Sequence, residues 1–133
     1  MVDFTVVTVG NAPLVRIIVA GGRDFNDYEL LSAELIKYIR EIAPDAERDG
    51  VAIVSGAAAG ADTLGARFAR LNHMPLHVYP AEWDIYGKLA GFRRNKIMAR
   101  NADYLLAFWD GKSSGTLHMI KEAPPLPVKI VRY

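Results

Sequence analysis

Arg16-Ile17-Ile18-Val19-Ala20-Gly21-Gly22-Arg23-Asp24-Phe25 is the stretch from which the fold can be read. Its first half is a β-branched apolar run without alternation, the pattern of a strand covered on both faces. The paired glycines let the backbone bend tightly, and they let a phosphate approach N–H groups at a helix start. From Asn26 the period changes. Tyr28, Leu31, Leu35, Tyr38, Ile39 and Ile42 recur at three and four, with Glu34, Lys37 and Arg40 between them, which predicts an amphipathic helix. Asn26, followed three residues later by Glu29, predicts its cap, and Pro44 its end.

The same strand–turn–helix order repeats along the chain. Strands are predicted over residues 51–54, 76–79, 104–108 and 128–131, and helices over 61–71, 87–101 and 115–123. Two further glycine-bearing turns come after strands: Ser55-Gly56-Ala57-Ala58-Ala59-Gly60-Ala61-Asp62 and Asp110-Gly111-Lys112-Ser113-Ser114-Gly115-Thr116. Alternating strands and helices joined by short turns imply right-handed crossovers and a mainly parallel α/β sheet with helices on both faces. All three turns then lie at the carboxyl edge of the sheet, where ligands sit in folds of this class. With strand order 3-2-1-4-5, the turns after the first and fourth main strands flank the reversal and face each other. Upstream, Phe4, Val6 and Val9 suggest a short extra strand within residues 1–12, ended by Asn11-Ala12-Pro13. Pro124-Pro125-Leu126-Pro127 reads as a stiff connection. Without repeats or a composition boundary, residues 1–133 are expected to form one domain.

Bulk properties narrow the function classes. Half of the 133 residues are hydrophobic, enough for a sizeable core. Sixteen Lys and Arg stand against fifteen Asp and Glu, so no general electrostatic grip on nucleic acid or anionic membrane is expected. The absence of cysteine removes disulfides, thiolate chemistry and Cys-based zinc sites, with the reducing cytoplasm as the expected compartment. The first residues lack a basic n-region, and no stretch is long enough for a membrane span. His73, His77 and His118 show no metal-ligand spacing, and Val54-Ser55-Gly56 lacks the flanking glycine of a nucleophile elbow. No metal and no cofactor is read from the chain.

Six segments, in order and spacing, carry a family resemblance. They are Gly21-Gly22-Arg23-Asp24-Phe25, Ser55-Gly56 with Gly60-Ala61-Asp62, Tyr79-Pro80-Ala81-Glu82-Trp83, Tyr86-Gly87-Lys88, Gly91 with Arg94-Asn95, and Ala107 to Thr116. From Arg16 onward the chain resembles the SLOG superfamily of Rossmann-like proteins. That superfamily includes the Lonely-guy-type phosphoribohydrolases, the nucleotide-binding fold of DNA-processing protein A, and a small single-domain group of phages and bacteria. The resemblance implies a nucleotide-type site and self-association as a homodimer or larger assembly. Two departures bear on it. Relatives usually carry Gly and Arg where this chain has Ala57 and Ala59. The hydrolytic branch has an Arg-Lys pair and a Glu after its last glycine turn, whereas this chain has Arg94-Asn95 and Met119.

Each candidate has two readings. Gly56, Gly60 and the helix start after them offer N–H groups to an anion, or form a tight turn with nothing bound. Arg23, next to Gly21 and Gly22, forks onto a phosphate or pairs with Asp24 or Asp27. Asp62 accepts from a ribose hydroxyl or caps its helix. Ser113, Ser114 and Thr116 bind phosphate, cap their helix, or do both. Trp83, Tyr86 and Phe92 stack on a base or anchor a loop. Arg94 lies in a basic stretch, and only the resemblance singles it out.

The expected ligand set is Gly21, Gly22, Arg23, Ser55, Gly56, Gly60, Asp62, Arg94, Asp110, Gly111, Lys112, Ser113, Gly115 and Thr116. It would hold a nucleoside phosphate or an ADP-ribose-like molecule, for sensing or sequestration. The enzymatic alternative is hydrolysis of a nucleoside-monophosphate N-glycosidic bond. Arg94 would orient phosphate, and Asp110 or Asp24 would supply the carboxylate. A third reading is single-stranded nucleic-acid binding through Lys88, Arg93, Arg94, Lys96 and Lys112.

Overall fold

In the computed structural model, which describes residues 8–9, 12–123 and 126–133, five strands form one parallel sheet. They are β3 (Val15–Gly21), β4 (Val51–Ser55), β5 (Leu76–Val78), β6 (Tyr104–Trp109) and β7 (Val128–Arg132). Two short strands precede them, with β1 (Thr8–Val9) pairing antiparallel to β2 (Ala12–Pro13). Ala12 and Pro13, expected to end the N-terminal segment, are thus themselves paired; the rest of that proposed strand lies outside the described residues, as do Pro124 and Pro125. The sheet order is β5-β4-β3-β6-β7, or 3-2-1-4-5 counting from β3, as expected.

Strand β3 explains why its sequence does not alternate. Ile17 and Val19 face a core completed by α1 (Tyr28–Ile42) and α2 (Ala61–Leu71) through Leu31, Leu35 and Phe68. Ile18 and Ala20 face the opposite core, built with Met98 of α4 (Ala90–Arg100) and Met119 of α5 (Ser114–Glu122). Successive side chains point to opposite faces of a strand, so a strand buried on both faces must be apolar throughout. Pairing of Gly21 with Phe108 brings the ends of β3 and β6 level, and the turns after them side by side.

Several element ends differ from expectation by one residue, and three departures change the local structure. The cap of α1 is Asp27, whose carboxylate accepts from the Leu30 N–H at 3.0 Å, so Asn26 stands one residue too early to cap. The helix expected over residues 87–101 is broken. A single turn, α3 (Trp83–Tyr86), precedes a 3-10 turn over Gly87–Leu89, and α4 begins only at Ala90. Gly87 has φ of 55°, outside the right-handed helical region, and it ends α3 where the 3-10 turn leading to α4 begins. Strand β5 stops at Val78, although the Tyr79 N–H still donates to the Ser55 carbonyl at 2.8 Å. Among the described residues no helix is long and apolar enough to cross a membrane.

Candidate functional site

The order reversal between β3 and its two neighbours opens a cleft of about 530 Å³ at the carboxyl edge of the sheet. Its near wall is the turn after β3. There the Gly22 carbonyl accepts from the Phe25 N–H and from the Ala61 N–H, each at 3.2 Å, tying this turn to the start of α2. The contact depends on Gly60, which has φ of 82° and would drive any β-carbon into Gly22 and Arg23.

The floor of the cleft is a buried carboxylate facing two guanidinium groups. Asp62 is 5% exposed, and burial lifts its carboxyl to about 6, while Arg94, the Ala58 N–H and Arg23 pull the other way. Its Oδ2 accepts from the Ala58 N–H at 3.3 Å, and its main-chain carbonyl accepts from the Ser55 hydroxyl at 2.9 Å. The Arg94 Nη1 donates to the Gly56 carbonyl, and its Nε donates to Asn95 Oδ1 at 3.0 Å. Burial holds the Arg94 pKa below its ordinary value, with Asp62 opposing that shift. A side chain at Gly56 would meet the Arg94 guanidinium and lie 2.7 Å from Asp62 Oδ2, so it would force one of these groups to shift.

The far wall is the start of α5. Asp110 Oδ1 accepts from the Lys112 and Ser113 N–H groups, both at 2.8 Å. Those bonds, Ser113 first, hold its carboxyl below the usual range. Ser113 caps the helix, taking the Thr116 N–H at 3.5 Å and lying 3.1 Å from the Thr116 hydroxyl. Over the mouth stands Trp83, 48% exposed and 6.0 Å from the Arg23 guanidinium.

The structure therefore gathers Gly21, Gly22, Arg23, Asp24, Asp62, Arg94, Asp110, Ser113, Gly115 and Thr116 around one space. It leaves Ser55, Gly56, Gly60, Gly111 and Lys112 off the lining. The first three lie behind the wall and position Asp62, Arg94 and the turn after β3. Gly111 is backed by Arg132, and the Lys112 N–H is used by Asp110. The Ala61 N–H, expected to meet an anion at the start of α2, is satisfied internally by the Gly22 carbonyl, and the Ala58 N–H of the preceding turn by Asp62. Asp62 does not cap the first turn; its carboxylate reaches back to Ala58.

Residues 15–86 match the family described as the YspA, cpYpsA-related SLOG family. The chain belongs to that family. The chain is also similar to the Gene 61 protein of Mycobacterium phage D29, 31% identical over 128 residues, with 89% of this chain and 95% of that protein covered. The same Rossmann-like fold is found in the DNA processing protein A of Helicobacter pylori, described for its single-stranded DNA binding mode. The TM-score is 0.62 at 20% identity, and the match covers 90% of this chain and 66% of that one.

Other residues of this SLOG cleft are not singled out by the sequence. Asn95 stands there only as part of a motif, yet it is 6% exposed and lines the cleft. A buried amide in a helix flanked by Arg93, Arg94 and Lys96 is the signal that could have found it. Tyr133 donates to Asp24 Oδ1 at 2.8 Å across 109 positions. Burial and then that hydrogen bond push the phenol up to about 12. Nothing local in the sequence announces it. Of the three aromatics, Trp83 is half-exposed at the cleft with the Arg23 guanidinium over its ring, Tyr86 carries the Arg93 guanidinium at 4.3 Å, and Phe92 stacks on His118 at 4.2 Å.

Proposed function

We propose that this SLOG protein binds a nucleotide or nucleotide-derived small molecule in the cleft between the turns after β3 and β6. The observation that carries the reading is the convergence of Arg23, Arg94 and the start of α5 on one space that has an open indole at its mouth. Guanidinium groups and helix-start N–H groups receive phosphate, and the Trp83 face receives a base. Asp62 and Asp110 are the carboxylates available to ribose hydroxyls. Sensing or sequestration suits the site better than N-glycosidic hydrolysis. Met119, where the hydrolytic relatives carry Glu, is 1% exposed and apolar, Asp24 is engaged by Tyr133, and Asp110 by its own loop.

Thermal unfolding against AMP, CMP, NAD and ADP-ribose tests this. A ligand at about a hundred times its dissociation constant adds roughly 2.7 kcal/mol, a rise on the order of 10 °C for a domain of this size. A selective rise supports the proposal and names the compound to assay for turnover. A flat panel overturns it.

A nucleic-acid strand is the second reading, favoured by the exposed Trp83, Ile85, Leu89 and Phe92 beside Lys88 and Arg93 along α3 and α4. Affinity for an oligonucleotide that falls steeply with salt, with none for mononucleotides, would select it.

A further inference from the structure

Outside the direct ligand contacts, a row of side chains runs from Glu122 to the floor of the cleft. Glu122 Oε1 lies 3.4 Å from His118 Nε2, and His118 Nδ1 lies 3.1 Å from Asn95 Nδ2. Asn95 Oδ1 accepts from Arg94 Nε, and Asn95 Nδ2 also donates to the Gly115 carbonyl at 3.4 Å. The donor and acceptor assignments in this row are forced. Arginine can only donate, so the oxygen of Asn95 must face it; a carbonyl can only accept, so the amide nitrogen must face Gly115. His118 Nδ1, meeting that same amide nitrogen, must then be an unprotonated acceptor. Its proton sits on Nε2, toward Glu122.

We propose that His118 is a positioning residue for Arg94, acting through Asn95, and that protonation of its Nδ1 releases the Arg94 Nε–H, leaving the guanidinium held only through Nη1 at the Gly56 carbonyl and by the charge of Asp62. The inference rests on the reading of the cleft as an anion site, because Arg94 is the group it controls. A doubly protonated imidazole would set an N–H against the Asn95 amide N–H₂. Turning Asn95 over to meet it would break the bonds to Arg94 Nε and Gly115 together, so the row cannot adapt without freeing the Arg94 Nε–H. The charged groups around His118 are Glu122 on its own helix, with Lys96 and, through Asn95, Arg94 from α4. Beneath α5, strands β3 and β6 bring Ile18, Ala20, Leu105 and Ala107 to this face, none of which titrates. The stacked Phe92 ring covers the imidazole, and burial favours its neutral form.

The ligand-free protein tests the row by itself. Nitrogen-15 NMR at about pH 7.5 is expected to show His118 with its proton on Nε2, and an Arg94 Nε–H resonance that shifts as His118 titrates toward about pH 5. In His118→Asn, whose side-chain oxygen can accept from Asn95 but does not titrate, the Arg94 resonance is expected to stay in place. Asn95→Asp is expected to draw the His118 proton to Nδ1, and it serves equally if His118→Asn does not fold. A proton on Nδ1 in the unsubstituted protein, or an Arg94 signal indifferent to His118, overturns the inference.

Binding of AMP separates this idea from the proposed function. The wild-type affinity divided by that of His118→Asn is expected to drop about tenfold between about pH 7.5 and about pH 5, the loss of roughly one charge-assisted hydrogen bond. The AMP phosphate titrates alike in both measurements and cancels. A constant ratio overturns the control of Arg94. The NMR signature without binding of AMP or the other nucleotides supports the row and overturns the nucleotide reading.

Discussion

Ala57 holds a φ of 61°, a left-handed conformation that favours glycine. A β-carbon there costs about 1–2 kcal/mol, whereas glycine would give back about 0.4–1 kcal/mol through its freer unfolded chain. The first effect is the larger, so Ala57→Gly is expected to stabilise the protein by about 0.5–1 kcal/mol in urea unfolding, with no change in the denaturant slope. Destabilisation would mean that the methyl packs usefully in the turn. Asp62 gives the second expectation at this scale. Its carboxyl moves from an ordinary 3.8 to about 6 on folding, so the folded protein holds this proton more tightly than the unfolded chain. Stability from this group is therefore fully present below about pH 4 and is lost as pH rises through about 6, a fall of about 3 kcal/mol. The difference between wild type and Asp62→Asn, measured by chemical unfolding from about pH 4 to about pH 7, should show that slope. Parallel curves would show that the carboxylate is not held out of water.

Caps and helix starts are the elements least legible in the sequence. Asn26 with Glu29 has the spacing of a capping box, and so competes on paper with Asp27; local pattern alone does not decide between starts one residue apart. In the structure Asp27 takes the Leu30 N–H. Asp27→Ala is accordingly expected to cost about 1 kcal/mol, and Asn26→Ala no more than a few tenths. The reverse order in thermal unfolding would make Asn26 the cap. The strands and the long helices are legible because their apolar periods answer to burial, and burial is decided by the sheet as a whole. Val51–Ser55 is buried at every position, and α1 buries Leu31, Leu35 and Tyr38 at helical spacing. The break at Gly87 is not legible, since a positive φ there depends on how α3 leaves the sheet edge. The site divides in the same way. Gly21, Gly22, Arg23, Ser113 and Thr116 can be found because they come directly after strands. Asp24 with Tyr133, and Asn95 with His118, depend on contacts between distant elements.

At the scale of the whole molecule, two titrating groups of opposite effect bear on one cleft residue, Arg94. Asp62 comes from the start of the helix after β4, and His118 from the helix after β6; both act on Arg94, Asp62 through its charge and His118 through Asn95. As pH falls through about 6, protonation of Asp62 leaves Arg23 and Arg94 without their nearby negative charge, which should tighten the binding of an anion. Protonation of His118, which burial pushes below the ordinary imidazole range, should loosen Arg94 and weaken binding. The two effects offset each other in the unsubstituted protein, so its own pH profile says little. Their separation is the informative experiment. The probe should be a dinucleotide such as NAD, whose diphosphate keeps its charge across the range. By isothermal titration, His118→Asn is expected to bind it more tightly as pH drops from about 7 to about 5. Asp62→Asn is expected to bind it more weakly over the same interval, whatever its affinity at neutral pH. Each change should be up to about tenfold, the size of one charge-assisted contact. If His118→Asn binds with an affinity independent of pH, the phosphate does not sit opposite Asp62. Its place would then be the start of α5, where Ser113 and Thr116 would hold it without help from Arg94.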